Sequence, residues 1–266
     1  MELSFWNLGR LLSAGIRREV PWFDPHLHGA GYWCWKPFIM LRELESLQEG
    51  DYLLYTDAGR PPGTLFRHSV QPLVQWLEEK GQDILPGVNI SYYTGDLSRW
   101  CKQSVFDALN LDIRDFEHSP LIQPTPCFLK KSEESVRILR EWMELCRQFS
   151  LVSSPTPEEK SRCRDNFADH THDQTLWSLV AAMNHLDCLY SGKGVIHLDG
   201  RHPFLRHPGF DDKDPDFFLG ELGAERVERP LLTFLSGVHH AIAFCEKAVN
   251  KLSKIAGLGP RKGFYG

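Results

Sequence analysis

An apolar run, Tyr52-Leu53-Leu54-Tyr55-Thr56, delivers a carboxylate and a glycine at its end, Asp57-Ala58-Gly59. Open α/β sheets bind ligands outside the carboxyl ends of their strands. An Asp held there can face a metal ion or a sugar nucleotide, and Gly59 would let the ligand come close to the backbone. A departing diphosphate needs positive charge beside it, which a divalent metal held by carboxylates supplies. A lone Asp is a poor metal site, so Asp57 needs partners. The plainer alternative is a strand that ends in an Asp-Gly type turn.

A second group is His170-Thr171-His172-Asp173-Gln174, just before an expected helix over 175–183. Asp173 at a helix N-terminus could be a cap, a general base, or a partner for sugar hydroxyls. The Gln174 amide could bind hydroxyls too. His170 and His172 have a spacing that metal sites use, as polar surface loops also do. The cations Lys36, Arg60 and Lys102 each lie beside one of these segments, and a cation is what a leaving diphosphate needs. Solvated surface charge is the bland alternative, stronger for Arg60 than for Lys36, which sits between Trp35 and Pro37. Trp33 and Trp35 read as core more readily than as sugar platforms. His197, Asp199, His202 and His207 are too irregular for a standard zinc pattern. His197, after a short strand, is the one that could complete the site of Asp57.

Strands and helices must alternate to position these groups. Pro37 suits the first turn of a helix, and Phe38, Leu41, Leu44 and Leu47 give it one apolar stripe. A strand over 52–56 follows. A helix over 66–80 places Val70, Leu73, Val74 and Leu77 on one face, and Gly81 closes it. A strand is expected at 89–93, a short helix at 104–109, and a strand over 121–129 that Pro124 and Pro126 weaken. Ser132 reads as an N-cap, with Glu133 and Glu134 at the positive end of the helix dipole. Val136, Leu139, Trp142, Cys146 and Phe149 then repeat at helical spacing. Residues 150–166 read as a surface loop, 173–183 as a helix and 195–198 as a strand. Residues 208–230 carry seven acidic and three basic residues and read as a linker or irregular lobe. A long helix is expected over 231–255. The alternation implies a layered α/β domain with a largely parallel sheet.

With 266 residues, 42% of them hydrophobic, the chain can bury one large core. The formal net charge is −5 and no basic block interleaves with aromatics, which argues against nucleic acid as a partner. The seven cysteines are widely spaced without a Cys-x-x-Cys, which argues against a disulfide framework and for a reducing compartment. Asn7, Gly9 and Arg10 interrupt the apolar run that a signal peptide requires, so a cytoplasmic protein is expected. The 231–255 helix would line Phe234, Val238, Ile242, Val249 and Ile255 on one side, with Lys247, Lys251 and Lys254 nearby. It reads as packed on the core or, more sharply, as a peripheral membrane contact.

In order, Gly31-Tyr32-Trp33-Cys34-Trp35-Lys36-Pro37, Gly50–Gly59 and His170–Thr175 resemble the motifs G-Y-W-x-W-K-P, G-D-x-x-x-Y-x-D-A-G and H-x-H-D-Q-S of GT-A-type glycosyltransferases found among surface-polysaccharide genes. Thr175 stands in place of the Ser. Trp100-Cys101-Lys102 and the run 121–146 also fit, so the resemblance covers roughly residues 30–185. It implies a GT-A-like, Rossmann-related domain over 1–207, with a mixed, mostly parallel sheet flanked by helices. Residues 208–266 would add the acidic lobe and the C-terminal helix. It implies transfer of a sugar from a nucleotide-diphosphate donor to a glycan or other hydroxyl acceptor, in polysaccharide or glycoconjugate synthesis. Asp57 would lie at the diphosphate-metal position, with Mn2+ or Mg2+ as the ion. Lys36, Gly59 and Lys102 would lie near the donor, and Asp173 and Gln174 would face the transferred sugar or the acceptor. Asp173 would be the base if the reaction inverts.

The chain departs from that pattern in two places. Gly59 stands where many GT-A enzymes carry a second Asp, and no clear opening strand precedes Gly31. These departures motivate an alternative: a catalytically degenerate GT-A domain that binds a nucleotide-sugar, a glycan or a protein partner. A third reading is a metal hydrolase built from His170–Asp173 and His197–His207. The glycosyltransferase reading requires Asp57 and Asp173 to converge on one cleft.

Overall fold

In a computed structural model of the chain, the described residues are 4–55, 71–89, 95–190, 196–197 and 203–204. The chain divides into two compact units. Met1–Asp57 with Val70–Lys213 holds every described residue, and Ala58–Ser69 with Asp214–Gly266 lies outside them. Asp57, Gly59, Arg60, the acidic stretch and the 231–255 helix are therefore outside the described residues.

Where a GT-A domain would open with a strand, the chain is helical. Helix α1 (Leu8–Ser13), capped by the Asn7 side chain, and α2 (Ile16–Glu19) bury Leu11, Ile16, Val20 and Phe23. No strand precedes β1 among residues 4–51. Helix α3 (Trp35–Ser46) carries Pro37 in its first turn and buries Phe38, Leu41 and Leu44 of the expected stripe, while Leu47, its fourth member, is the extended C-cap and only half-buried. Strand β1 (Tyr52–Tyr55) follows, then α4 (Gln71–Lys80), β2 (Ile84–Leu85), β3 (Val88–Asn89) and α5 (Gln103–Leu109).

The apolar run expected as one strand over 121–129 is two: β4 (Ile122–Gln123) and β5 (Cys127–Lys130). They belong to different sheets, and the break holds Pro124 and Pro126, neither of which can donate to a ladder. Strand β5 lies between β1 and β2, antiparallel to both, with Tyr55 opposite Cys127. In the second sheet β3 pairs antiparallel with β4 and parallel with β6 (Leu189–Tyr190). The hairpin of β7 (Ile196–His197) and β8 (Pro203–Phe204) is antiparallel. The largely parallel sheet expected from the alternation is not present among the described residues: β3 with β6 is their one parallel pair. Two-residue strands leave little ladder for a parallel arrangement to extend.

Helix α6 (Glu133–Arg147) is the packing centre, set against α3 on one side and α9 (Asp173–Met183) on another. Ser132 and Ser135 form a reciprocal capping box, and Val136, Leu139, Trp142 and Cys146 are buried as their spacing predicts. The stripe does not reach Phe149. Gln148 leaves the helix at φ −90°, ψ 101°, and Phe149 begins α7 (Phe149–Val152) at 45% exposure. The expected loop over 150–166 also holds α8 (Pro157–Ser161). Its start was readable: Thr156-Pro157-Glu158-Glu159 is a capping box with Pro in the first turn, and both of its hydrogen bonds form.

Trp142 of α6 and Trp177 of α9 pack with ring centroids 4.6 Å apart, both fully buried. Their indoles donate to the carbonyls of Asp173 and Pro86 at 3.0 and 2.7 Å. Aromatics on this scale contribute core area and orientation at once. No helix among the described residues is long and apolar enough to cross a membrane.

Candidate active site

The backbone from Gly29 to Trp33 turns the wrong way. Gly29, Ala30, Gly31, Tyr32 and Trp33 all have positive φ, at 59°, 50°, 91°, 53° and 55°. L-residues in left-handed helical geometry cost about 1–2 kcal/mol each, and only glycine adopts it freely. Both glycines are required sterically as well. A Cβ on Gly29 would lie 2.4 Å from the Trp33 ring, and one on Gly31 would lie 2.9 Å from the Phe23 ring. The turn is closed by Trp33 N donating to Gly29 O (3.1 Å) and Cys34 N to Gly31 O (3.1 Å). The Trp35 indole also donates to Gly29 O, at 3.3 Å. Helix α3 starts immediately afterwards, which fixes where Lys36 points.

The second motif reaches this turn from across the chain. Lys36 Nζ lies 3.6 Å from Asp173 Oδ2, with side chains 9% and 3% exposed. The His172 ring packs against Tyr32 (centroids 4.7 Å apart), His28 (5.4 Å) and Trp33 (5.9 Å). Two segments quoted as separate motifs thus form one cluster. Cys34 and Cys146 lie close enough to Asp173 that, after burial, its charge helps to push both thiols up. The cluster extends outward through rings: Tyr32 and Trp22 both contact Phe149, and His28 stands edge-on to Trp33 at 4.9 Å.

Asp173, expected to face a cleft, is instead buried at 2% exposure, the outcome that counts against the convergence of Asp57 and Asp173 that the glycosyltransferase reading requires. It is also not the cap of α9. His172 holds that position, with φ 57° and ψ −122°, and its side chain makes no capping bond. The entry to α9 is closed differently. Thr175 Oγ1 donates to Trp100 O at 2.7 Å and accepts from Thr171 N at 3.1 Å. Thr175, the departure from the Ser of the resembled motif, therefore ties the Trp100–Lys102 segment to the helix.

Lys102 is fully buried. Its Nζ donates to Ser153 O at 3.1 Å and lies 3.3 Å from Glu159 Oε1. Neither lysine expected near a diphosphate presents its ammonium to solvent, since each faces an internal carboxylate. His170 is also buried, and neither ring nitrogen makes a hydrogen bond although the Leu151 backbone approaches it. Burial, then Lys102 and His172, hold it well below the ordinary histidine range. Gln174 Nε2 is buried without a hydrogen-bond partner as well. Buried polar atoms left unmade are uncommon in folded proteins and concentrate attention where they occur together.

Among the described residues no group of three or more His, Cys, Asp or Glu is arranged to hold a metal ion. His170 and His172 stand edge to face with centroids 5.7 Å apart, and His172 Nδ1 is engaged by a carbonyl. The residues here therefore do not by themselves fit the Mn2+ or Mg2+ site that the resemblance implies. Asp57 lies outside the described residues, and so does the side chain of His197. Comparison with protein-family models, with curated proteins and with solved structures found no match.

The sequence reading missed the left-handed turn and the role of Val152. The first had a signal, the Gly-Ala-Gly of residues 29–31. The second had none, because Val152 meets His172 only through the fold.

Proposed function

We propose that this chain is a glycosyltransferase that moves a sugar from a nucleotide-diphosphate donor to a hydroxyl acceptor. The observation that carries the reading is the meeting of Tyr32, Trp33 and Lys36 with His172 and Asp173. Two of the three motifs that carry the resemblance lie in these segments, and the fold brings those two into contact. A half-buried aromatic surface beside a polar floor suits a sugar, whose ring has apolar C–H faces and a polar rim. Strained backbone at both segments also favours a functional site over plain packing.

In this reading Asp173 positions Lys36. Asp57, two residues beyond the end of β1 in the chain, is the residue this reading assigns to the diphosphate. The test is a donor-hydrolysis and transfer screen with UDP-, GDP- and dTDP-hexoses, with and without manganese. Wild type should release nucleoside diphosphate, and Asp57→Ala should lower turnover at least 100-fold while circular dichroism stays unchanged. Full turnover by Asp57→Ala would reject the site.

A second reading is favoured by one observation. The carboxylate of Asp173 and the ammonium groups of Lys36 and Lys102 already face internal partners. That arrangement suits a binding domain that does no chemistry. Calorimetric binding of a nucleotide-sugar with neither hydrolysis nor transfer would select it.

A further inference from the structure

We propose that His172, through its Nε2, is the base that takes the proton from the acceptor hydroxyl. The assignment rests on the glycosyltransferase reading of the site. It replaces Asp173 in the role that the sequence suggested.

The argument begins with a tautomer. His172 Nδ1 lies 2.9 Å from Val152 O. A carbonyl only accepts, so Nδ1 carries the hydrogen, and in the neutral ring the lone pair is on Nε2. Nε2 makes no hydrogen bond among the described residues. The carbonyl also fixes the ring plane, as a positioned base requires. Both residues are buried, His172 at 8% and Asp173 at 2% exposure, but the Asp173 carboxylate faces the Lys36 ammonium, which lowers its basicity, and among the described residues no ammonium is paired with His172.

The surroundings keep this ring neutral. Burial lowers its affinity for a proton. The Val152 carbonyl and Asp169 act the other way, while His28 and Lys102 add to the lowering. Among the described residues His170 stands at 5.7 Å and Tyr32 at 4.7 Å, and Asp173 follows His172 in the chain. An imidazole neutral at pH 7 can accept a proton without first losing one. His28, exposed, packs edge-on to the ring with centroids 5.4 Å apart.

The step balances. The acceptor O–H gives its proton to Nε2, and its oxygen lone pair forms the new bond to the anomeric carbon. The bond from that carbon to the diphosphate oxygen breaks, and its electron pair leaves on the nucleoside diphosphate. The ring ends as an imidazolium held by the Val152 carbonyl.

The strain agrees with the assignment. Position 172 has a positive φ that histidine adopts at a cost, and the turn that packs on its ring does too. Such outliers persist where surrounding structure over-determines them.

The experiment compares wild type with His172→Gln and His172→Asn, using the donor that the screen selects and methyl hexosides as acceptors. The kcat for transfer should fall by about 10²–10⁴-fold, with donor affinity by calorimetry within about threefold. Wild type should show an acid limb with its midpoint below 6.5, and both variants should lose it. Nitrogen NMR of imidazole-labelled protein should show Nδ1 protonated at position 172, a readout that needs neither variant to fold. An Nε2–H tautomer, or variants that keep both kcat and the acid limb, would overturn the assignment. A wild type that turns over no nucleotide-sugar removes the enzyme reading, and the base with it, which is a distinguishable result.

Discussion

In helix α6 every local preference agrees with the fold, whereas in the turn over 29–33 local preference is overruled by it. Helix α6 has a reciprocal cap, Glu133 and Glu134 at its start, Arg147 at its end, and Arg137 paired with Glu134 and Glu141 along its surface. The turn places Ala30, Tyr32 and Trp33 in a conformation that L-residues avoid. It sits beside His172, which is strained too, and the buried His170. The two regions touch the same residue: Trp142 of α6 donates to the carbonyl of Asp173, and Lys36 beyond the turn reaches its carboxylate. A relaxed scaffold therefore bears on a strained cluster. Real proteins break local rules mainly where function demands it, and the contrast is what marks this cluster out.

The largest expected effect tests whether the Lys36–Asp173 pair is the strut between them. Removing one partner of a buried ion pair leaves an uncompensated charge, at a cost of about 3–5 kcal/mol. Lys36→Met or Asp173→Ala should lower stability by that amount in urea unfolding. The double variant Lys36→Met with Asp173→Leu should recover most of it. On α6, Arg137→Ala breaks ion pairs whose side chains are 38–57% exposed and should cost less than about 1 kcal/mol. Equal losses at the two places would break the comparison.

The next effect is a dependence on pH that the cluster should show and α6 should not. Burial holds both His170 and His172 below the ordinary value of 6.5, so the unfolded chain binds protons that the folded chain refuses. Stability is then complete above 6.5 and is lost as pH falls below it. Each histidine contributes a slope of up to about 1.4 kcal/mol per pH unit. Urea midpoints between pH 7.5 and 5.5 should fall accordingly, and His170→Gln should flatten the fall. A midpoint constant over that range would show that the cluster opens to water more readily than its burial implies.

How much of this was legible in the sequence divides along the same line. Helix α6 was readable because its cap, its charges and its stripe are all local. Helix α9 was readable in its bounds, 173–183, from the apolar run after Gln174. Strand β1 matched as far as Tyr55, and the glycine that ends α4, Gly81, has the expected positive φ of 63°. The candidate site was readable as residue types and not as roles. Lys36, Asp173 and Gln174 were named, and Lys36 and Asp173 do meet. That they meet each other, with no ammonium or carboxylate left facing solvent, depends on α3 and α9 packing on α6, and no local pattern encodes that. His172 was read as a candidate metal ligand or a surface-loop histidine and not as a base, because its tautomer is set by a carbonyl 20 residues away in the chain. Sheet direction was unreadable for a related reason: runs of alternating type say that strands exist, while pairing partners are chosen by long-range contact.

The smallest effect has the sharpest sign. Ala30 has φ 50°, ψ 54°, inside the left-handed region. Replacing it with glycine removes the clash of its Cβ with the following carbonyl, worth about 1–2 kcal/mol. It also frees the unfolded chain, which takes back about 0.4–1 kcal/mol. Ala30→Gly should therefore stabilise by roughly 0.5–1 kcal/mol. In an ordinary helix the same change destabilises by about 1 kcal/mol, as Glu144→Gly on the exposed side of α6 should show. Opposite signs for glycine at the two positions, read as shifts of the urea midpoint, would confirm that one segment is strained and the other is not. The same sign at both would mean that residues 29–33 are an ordinary right-handed turn. The aromatic faces of Tyr32 and Trp33 would then have no fixed position against His172.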